Sequence, residues 1–247
     1  MTLDKINLVI STVCREENYL AATLDSLSSE YPIRNNQIVS LIVGSPVTTH
    51  LDHYRLSPGI NVVEMGPNTW SWIKDRPTLH RATWNYYRCL TYPIAGGRGT
   101  LVLEDDIRFA HGWRARLDCT LKVLEEKYSS TFVLALYAPL LSARKERRPG
   151  QLYVEYPYNT FIGAQGIYYP AEVRLRFARY LKVHGVVANE THYDLLLRDY
   201  LARSSVPLLA TSPCLIQHIG KASVIQNFWH ESSDFVEDVT AEMFGLP

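Results

Sequence analysis

The chain has 247 residues, and its 25 Lys+Arg balance 25 Asp+Glu, so the formal net charge is zero. That balance argues against a protein that grips nucleic acid through a broad basic face, which works by displacing counterions from phosphates. With 47% hydrophobic and 20% charged residues the chain is also a poor candidate for disorder, which needs low hydrophobicity and high net charge. Its length suffices to bury about 70–75% of the unfolded surface without staples.

Residues 6–10 (INLVI) form a short β-branched apolar run, which predicts a buried strand. Residues 16–28 follow with Leu20, Leu24 and Leu27 at helical spacing. Residues 38–43 (IVSLIV) predict a second buried strand and residues 61–64 a third. Residues 66–77, with Pro, Gly and Asn, are expected to be loop. Residues 79–90 have a helical pattern, with Leu79, Tyr86 and Leu90 as its apolar stripe. A turn at 96–99 leads into the apolar strand 100–103 (TLVL). A helix is predicted over 113–127, a strand over 132–137 and an exposed basic loop over 143–150 (ARKERRPG). Helices are predicted over 172–183 and 193–202, and the segment after Ser223 is polar and aromatic.

Strands alternating with helices predict an α/β protein with a mostly parallel central sheet flanked by helices. Neither a repeat nor a linker is visible, so residues 1–247 are expected to form one domain. Cys14, Cys89, Cys119 and Cys214 are too scattered for a zinc site and too few for a disulfide scaffold, and are expected to be idle or buried thiols. No stretch reaches the roughly 18 apolar residues a membrane span needs. The first residues lack a basic region followed by a long apolar one. As written, the chain is expected to be cytoplasmic, although a trimmed secretory-pathway protein would give the same pattern.

Ligands of such sheets sit at the carboxyl ends of the strands. The sequence LVLEDD at 101–106 delivers Glu104, Asp105 and Asp106 to one such end. Crowded like charges repel unless something offsets them. Hard oxygen donors there suit Mg2+ or Mn2+ carrying a diphosphate. A solvated acidic turn at a helix start is the plainer alternative. After the first strand, Thr12 is placed to bond a base or ribose, and Arg15 to pair with phosphate as a planar fork. The same loop lacks the glycine-rich pattern of phosphate cradles. Arg81 and Asn85 stand at i and i+4 on one helix face, able to contact a nucleotide or simply to face water. Asp194 opens the helix at YDLLLRDY, where it can act as a general base or only complement the helix dipole. His218, between an apolar run and Gly220, is either a structural histidine or an extra donor to Mn2+. Trp70, Trp72, Trp113 and the 156–158 region are candidate stacking surfaces for sugar rings.

Taken in order, six stretches resemble the N-acetylglucosaminyltransferase IV family. They are STVCRE at 11–16 with Tyr19, Leu20 and residues 23–27; Arg81 with Asn85; LEDDI at 103–107; FIGAQG at 161–166; YDLLLRDY at 193–200; and PCLIQHIGKAS at 213–223. The resemblance implies a single-domain GT-A (Rossmann-like) fold. Residues 1–106 would form a nucleotide-binding half, and residues 107–247 an acceptor half with a C-terminal tail. It implies metal-dependent, inverting transfer of N-acetylglucosamine from UDP-GlcNAc to a glycan hydroxyl, with Mn2+ or Mg2+ as cofactor. By that resemblance Thr12, Arg15, Arg81 and Asn85 line the donor pocket, and Glu104 and Asp105 contact its nucleotide side. Asp106 becomes the direct metal ligand, with His218 near the metal or diphosphate. Gly163 and Gln165 lie in the loop beneath the donor sugar, and Asp194 is the base. Animal members carry an anchor, a stem and further C-terminal sequence, so a bare catalytic core is expected. Partners are then a nucleotide sugar and a glycan, with no nucleic acid and no integral membrane segment. Two other classes stay open: a sugar nucleotidyltransferase, and a non-catalytic nucleotide-sugar or carbohydrate-binding protein of the same fold. The first would want a glycine-rich N-terminal loop, and residues 11–17 contain no glycine.

Overall fold

A computed structural model describes residues 6–33, 39–93, 99–139, 150–188, 192–221 and 230–239. Parts of five sequence expectations lie outside them: the turn at 96–98, the basic loop at 143–149, Ile38, residues 222–223 of the stretch at 213–223, and tail residues 224–229 and 240–247.

The elements run β1 (Ile6–Thr12), α1 (Leu20–Ser28), β2 (Val39–Val43), α2 (Asp52–Arg55), β3 (Ile60–Val63), α3 (Pro67–Ile73), α4 (Thr78–Thr91) and β4 (Gly99–Glu104). They continue with β5 (Ile107–Phe109), α5 (Trp113–Tyr128), β6 (Val133–Ala135), β7 (Tyr153–Glu155), β8 (Gly166–Pro170), α6 (Ala171–Leu181), α7 (Tyr193–Ser204), β9 (Leu208–Thr211) and β10 (Ile216–His218). Eight strands form one sheet in the order β3-β2-β1-β4-β8-β6-β9-β7. The pairings leave six strands pointing one way, with β8 and β7 reversed. β2 is buried along its whole length, as are the first five residues of β4, because helices cover both faces. β10 pairs antiparallel with β5 in a separate two-stranded ribbon. Among the described residues no helix is long and apolar enough to cross a membrane.

Several sequence expectations are corrected. The expected loop at 66–77 contains α3: Gly66 is extended and Pro67 takes the first helical position, where its missing N–H costs nothing. The first helix begins at Leu20 rather than at residue 16. Leu79 is exposed, so the buried stripe of α4 runs instead through Thr83, Tyr86 and Leu90. The sixth helix continues into a π-helical turn, Lys182–Val187. Strands β5, β7, β8, β9 and β10, of three to five residues each, are too short to give a readable alternation.

Arg88 of α4 ties the edge of this frame together. Its guanidinium donates to the carbonyls of Val43 (2.6 Å), Glu64 (2.8 Å) and Val63 (3.3 Å), at the ends of β2 and β3. Arg88→Ala leaves these acceptors without their charged donor. It is expected to cost about 2 kcal/mol, measurable as a lower urea midpoint with an unchanged slope.

Candidate functional site

The strand order reverses between β1 and β4: the chain builds outward from β1 to β2 and β3, then returns to add β4 on the other side. Such a reversal opens a crevice beyond the carboxyl ends of the two strands, because their following connections diverge to opposite faces. A cavity of about 260 Å³ lies there. Thr12 and Arg15 line it from the end of β1, and Glu104, Asp105 and Asp106 from the end of β4. Gly44, Trp70, Thr78, Arg81, Asn85, Tyr86 and Tyr193 contribute the rest of the wall, along with neighbouring small residues. Eight residues singled out from sequence, Trp70 among them, therefore meet in one cavity.

The three acids are each held differently. Thr12 Oγ1 donates to Asp105 Oδ2 at 2.6 Å, and the Val13 N–H reaches the same oxygen at 3.3 Å. Arg15 forks across two carboxylates, pairing with Asp105 Oδ1 and with Asp106 Oδ2 at 3.0 Å. The Thr23 hydroxyl of α1 lies 2.9 Å and 2.8 Å from the carbonyls of Asp105 and Ile107, and the Ile107 N–H donates to it. This fixes the acidic turn. Glu104 accepts from the Tyr193 hydroxyl, and the Tyr193 ring stacks on Tyr86 with centroids 4.3 Å apart. Burial lifts the Glu104 carboxyl to about 7, with the Asp106 charge adding to the effect. Burial also lifts Asp105 to about 6, against the opposing pull of Arg15. For Asp106 burial acts upward too, but the His218 hydrogen bond and the Arg15 charge outweigh it and hold its carboxyl low. A mixed-charge centre thus lies inside a chain of zero net charge.

β10 brings His218 to this centre. Its register sets His218 against Ile107, and the Ile219 N–H donates to the Asp106 carbonyl at 2.8 Å. His218 Nε2 then stands 3.4 Å from Asp106 Oδ2. Asp106 Oδ1 is buried and has no hydrogen-bond partner among the described residues. A Cβ on Gly220 would overlap the Asp106 carboxyl group, so the backbone lies close over this acid. An orphaned carboxylate oxygen with an imidazole beside its carboxylate is a donor pair that suits a hard or borderline divalent cation. Among the described residues no group of three or more His, Cys, Asp or Glu could hold a metal ion alone. A cation here would depend on substrate oxygens or water for its remaining ligands.

The other expected residues fall at the margin. Asn85 is buried, donating to Ser11 Oγ (2.8 Å) and the Ile42 carbonyl (3.2 Å), so it braces the wall as well as lining it. Arg81 is half-buried and bonds only locally, to the Thr78 hydroxyl and the Lys74 carbonyl. Gly163, Gln165, Asp194 and His218 are not in the cavity wall itself. The Glu104 N–H donates to the Gln165 carbonyl, and the Gly163 N–H to Asp194 Oδ2 at 3.2 Å, so the loop before β8 joins the acidic strand end to α7. Gly163 has a φ of +76°, which favours glycine, and a Cβ there would overlap Gln165 Oε1.

The loop after β1 is not a phosphate cradle. The Val13 N–H is taken by Asp105 and the Cys14 N–H by Ser45 Oγ. Cys14 is exposed, whereas Cys89 and Cys214 are buried. Trp113 is fully buried, which removes it from the candidate sugar surfaces, and so is Tyr156. Trp70 lines the cavity, and Trp72 is exposed on α3. The sequence reading missed Tyr193, Tyr86 and His192; only the spacing of His192 two residues before an acid at a helix start offered a signal.

No protein-family model matches the chain, and no curated protein matches it. Among solved structures it is similar to GalNAc-T7, crystallised with UDP, GalNAc and Mn2+. The TM-score is 0.59 and the identity 13%, covering 88% of this chain and 44% of that one. Two structures of TarS from S. aureus give TM-scores of 0.48 and 0.47 at 14% and 12% identity; each covers 83% of this chain, with 57% and 35% of theirs. The chain thus spans less than half the length of the GalNAc-T7 structure. The fold is that of the GT-A glycosyltransferases.

Proposed function

We propose that this protein is a metal-dependent, inverting glycosyltransferase of the N-acetylglucosaminyltransferase IV kind, moving N-acetylglucosamine from UDP-GlcNAc to a glycan hydroxyl. The observation that carries the reading is the switch-point cavity ending on Asp106, whose buried Oδ1 lacks a partner among the described residues while His218 stands beside its other oxygen. The order of the six family-like stretches supports the donor sugar. The GT-A likeness supports glycosyl transfer as the reaction class, and UDP and Mn2+ are the ligands of the GalNAc-T7 structure. In this reading residues 1–106 form the nucleotide half, and residues 107–247 supply the acceptor side.

Asp106 and His218 would hold Mn2+ or Mg2+, which supplies Lewis-acid stabilisation of a departing diphosphate. The chain's own residues do the rest. Arg15 and Arg81 place positive charge where the leaving group gains negative charge. Thr12, Asn85, Glu104 and Asp105 orient the nucleoside, while Gly163 and Gln165 form the floor beneath the donor sugar. The acceptor hydroxyl loses its proton at the Asp194 end of the site as its oxygen attacks the anomeric carbon, and one displacement inverts that carbon. A sugar nucleotidyltransferase fits less well, because the loop after β1 lacks glycine and its Val13 and Cys14 amides are already bonded within the protein.

A thermal-shift screen of UDP, GDP and CMP sugars with Mn2+ tests the donor. UDP-GlcNAc at a hundred times its dissociation constant should stabilise by about 2.7 kcal/mol, a midpoint rise of order 5 °C. Protection by GDP or CMP sugars alone overturns the donor assignment. UDP release that persists in EDTA overturns the metal, and tight binding without release even with glycans supplied indicates a binding protein.

A further inference from the structure

Resting on that reading, we infer that the group taking the acceptor proton is His192, and that Asp194 is its positioning residue. Asp194 is nearly saturated. Its Oδ1 accepts from His192 Nδ1 at 2.5 Å and from the Leu195 N–H at 2.6 Å, and its Oδ2 accepts from the Gly163 N–H at 3.2 Å. A carboxylate accepts only, so His192 Nδ1 must carry the proton of that bond. Whenever the ring is neutral, Nε2 is then its basic nitrogen. Nε2 is buried and has no hydrogen-bond partner among the described residues.

The imidazole is 13% exposed and lies against the Tyr193 ring, with centroids 4.2 Å apart. Tyr193 lines the cavity and bonds Glu104. The ring is not in the cavity wall itself but lies directly behind Tyr193, which is, and its Nε2 has no partner among the described residues. Asp194 is ill placed to act directly. Burial would raise its carboxyl, but the His192 bond and the two backbone amides outweigh that and hold it low, which weakens it as a base. An acid that fixes a histidine tautomer while the far nitrogen takes the proton is a recurring catalytic arrangement.

The step balances. The acceptor O–H proton passes to His192 Nε2, and the oxygen's electron pair forms the new bond to the anomeric carbon. The bond from that carbon to the diphosphate oxygen breaks, and UDP leaves with its electron pair. The imidazolium, stabilised by Asp194, then returns its proton to water.

The test measures UDP release from UDP-GlcNAc with Mn2+, water serving as acceptor, in wild type, His192→Gln, His192→Gly and Asp194→Asn. Glutamine keeps a donor toward Asp194 but cannot act as a base. His192→Gln is expected to lose roughly 100-fold or more in rate while UDP-GlcNAc still protects it against unfolding. Added imidazole should restore His192→Gly at least about tenfold. A His192→Gln rate within about tenfold of wild type, beside an inactive Asp194→Asn, overturns the assignment and makes Asp194 the base. A 15N spectrum placing the His192 proton on Nε2 overturns it without reference to turnover. Wild-type protein that turns over no nucleotide sugar even with glycans supplied overturns the glycosyltransferase reading itself, and this inference with it.

Discussion

Asp106→Ala is expected to lower Mn2+-dependent UDP release by roughly 100-fold or more, and to weaken Mn2+ binding by a comparable factor. Asp106 combines an oxygen without a partner among the described residues, an arginine on its other oxygen and a histidine at 3.4 Å. Removing the carboxylate leaves His218 as a single weak donor, and Arg15 keeps only Asp105. The fold should survive, because the backbone at 106 is held independently by the bond from the Ile219 N–H and by Thr23 on the flanking carbonyls. Circular dichroism should therefore be unchanged, while titration calorimetry with Mn2+ and the release assay both collapse. Full Mn2+-dependent release by the alanine variant would remove Asp106 from the metal site and the central support from the proposed function.

The second large effect is on stability. Trp113 opens α5 fully buried, with its ring 4.5 Å from Phe109 and 6.5 Å from Tyr31, centroid to centroid. Trp113→Ala deletes the anchor that joins α5 to Phe109 of β5 and to Tyr31 in the segment after α1. Truncations of buried Trp or Phe cost about 3–5 kcal/mol, a large part of the 5–15 kcal/mol that typically separates folded from unfolded states. The thermal midpoint should fall by of order 10 °C. The ribbon of β5 and β10 carries His218, so metal affinity should fall as well. A midpoint within about 2 °C of wild type would show that the α5 contact contributes little.

The strands and the acidic turn within residues 1–106 were largely legible from residue order. Runs such as INLVI and TLVL are apolar on both faces, as a covered parallel strand requires, and the acids at 104–106 follow directly from the second of them. Trp113 was misread because a tryptophan at the start of a helix has the same local pattern whether it faces the core or a sugar. The role of α3 was hidden by Gly66 and Pro67, which punctuate loops and start helices alike. His192 escaped notice because its partner is recognisable only once the bond to Asp194 exists.

By itself the sequence determined the α/β class, the acidic strand end and a family-like order of stretches, because these depend on neighbours within a few residues along the chain. Only the tertiary structure decided that Asp106 meets His218, that Gly163 meets Asp194 and that Tyr193 meets Glu104. Each pair joins elements far apart in sequence, and each depends on a strand or helix register that local spacing does not encode. The same long-range placement decided which polar atoms stay without partners, and those atoms, on Asp106 and His192, carry the chemistry proposed for this chain.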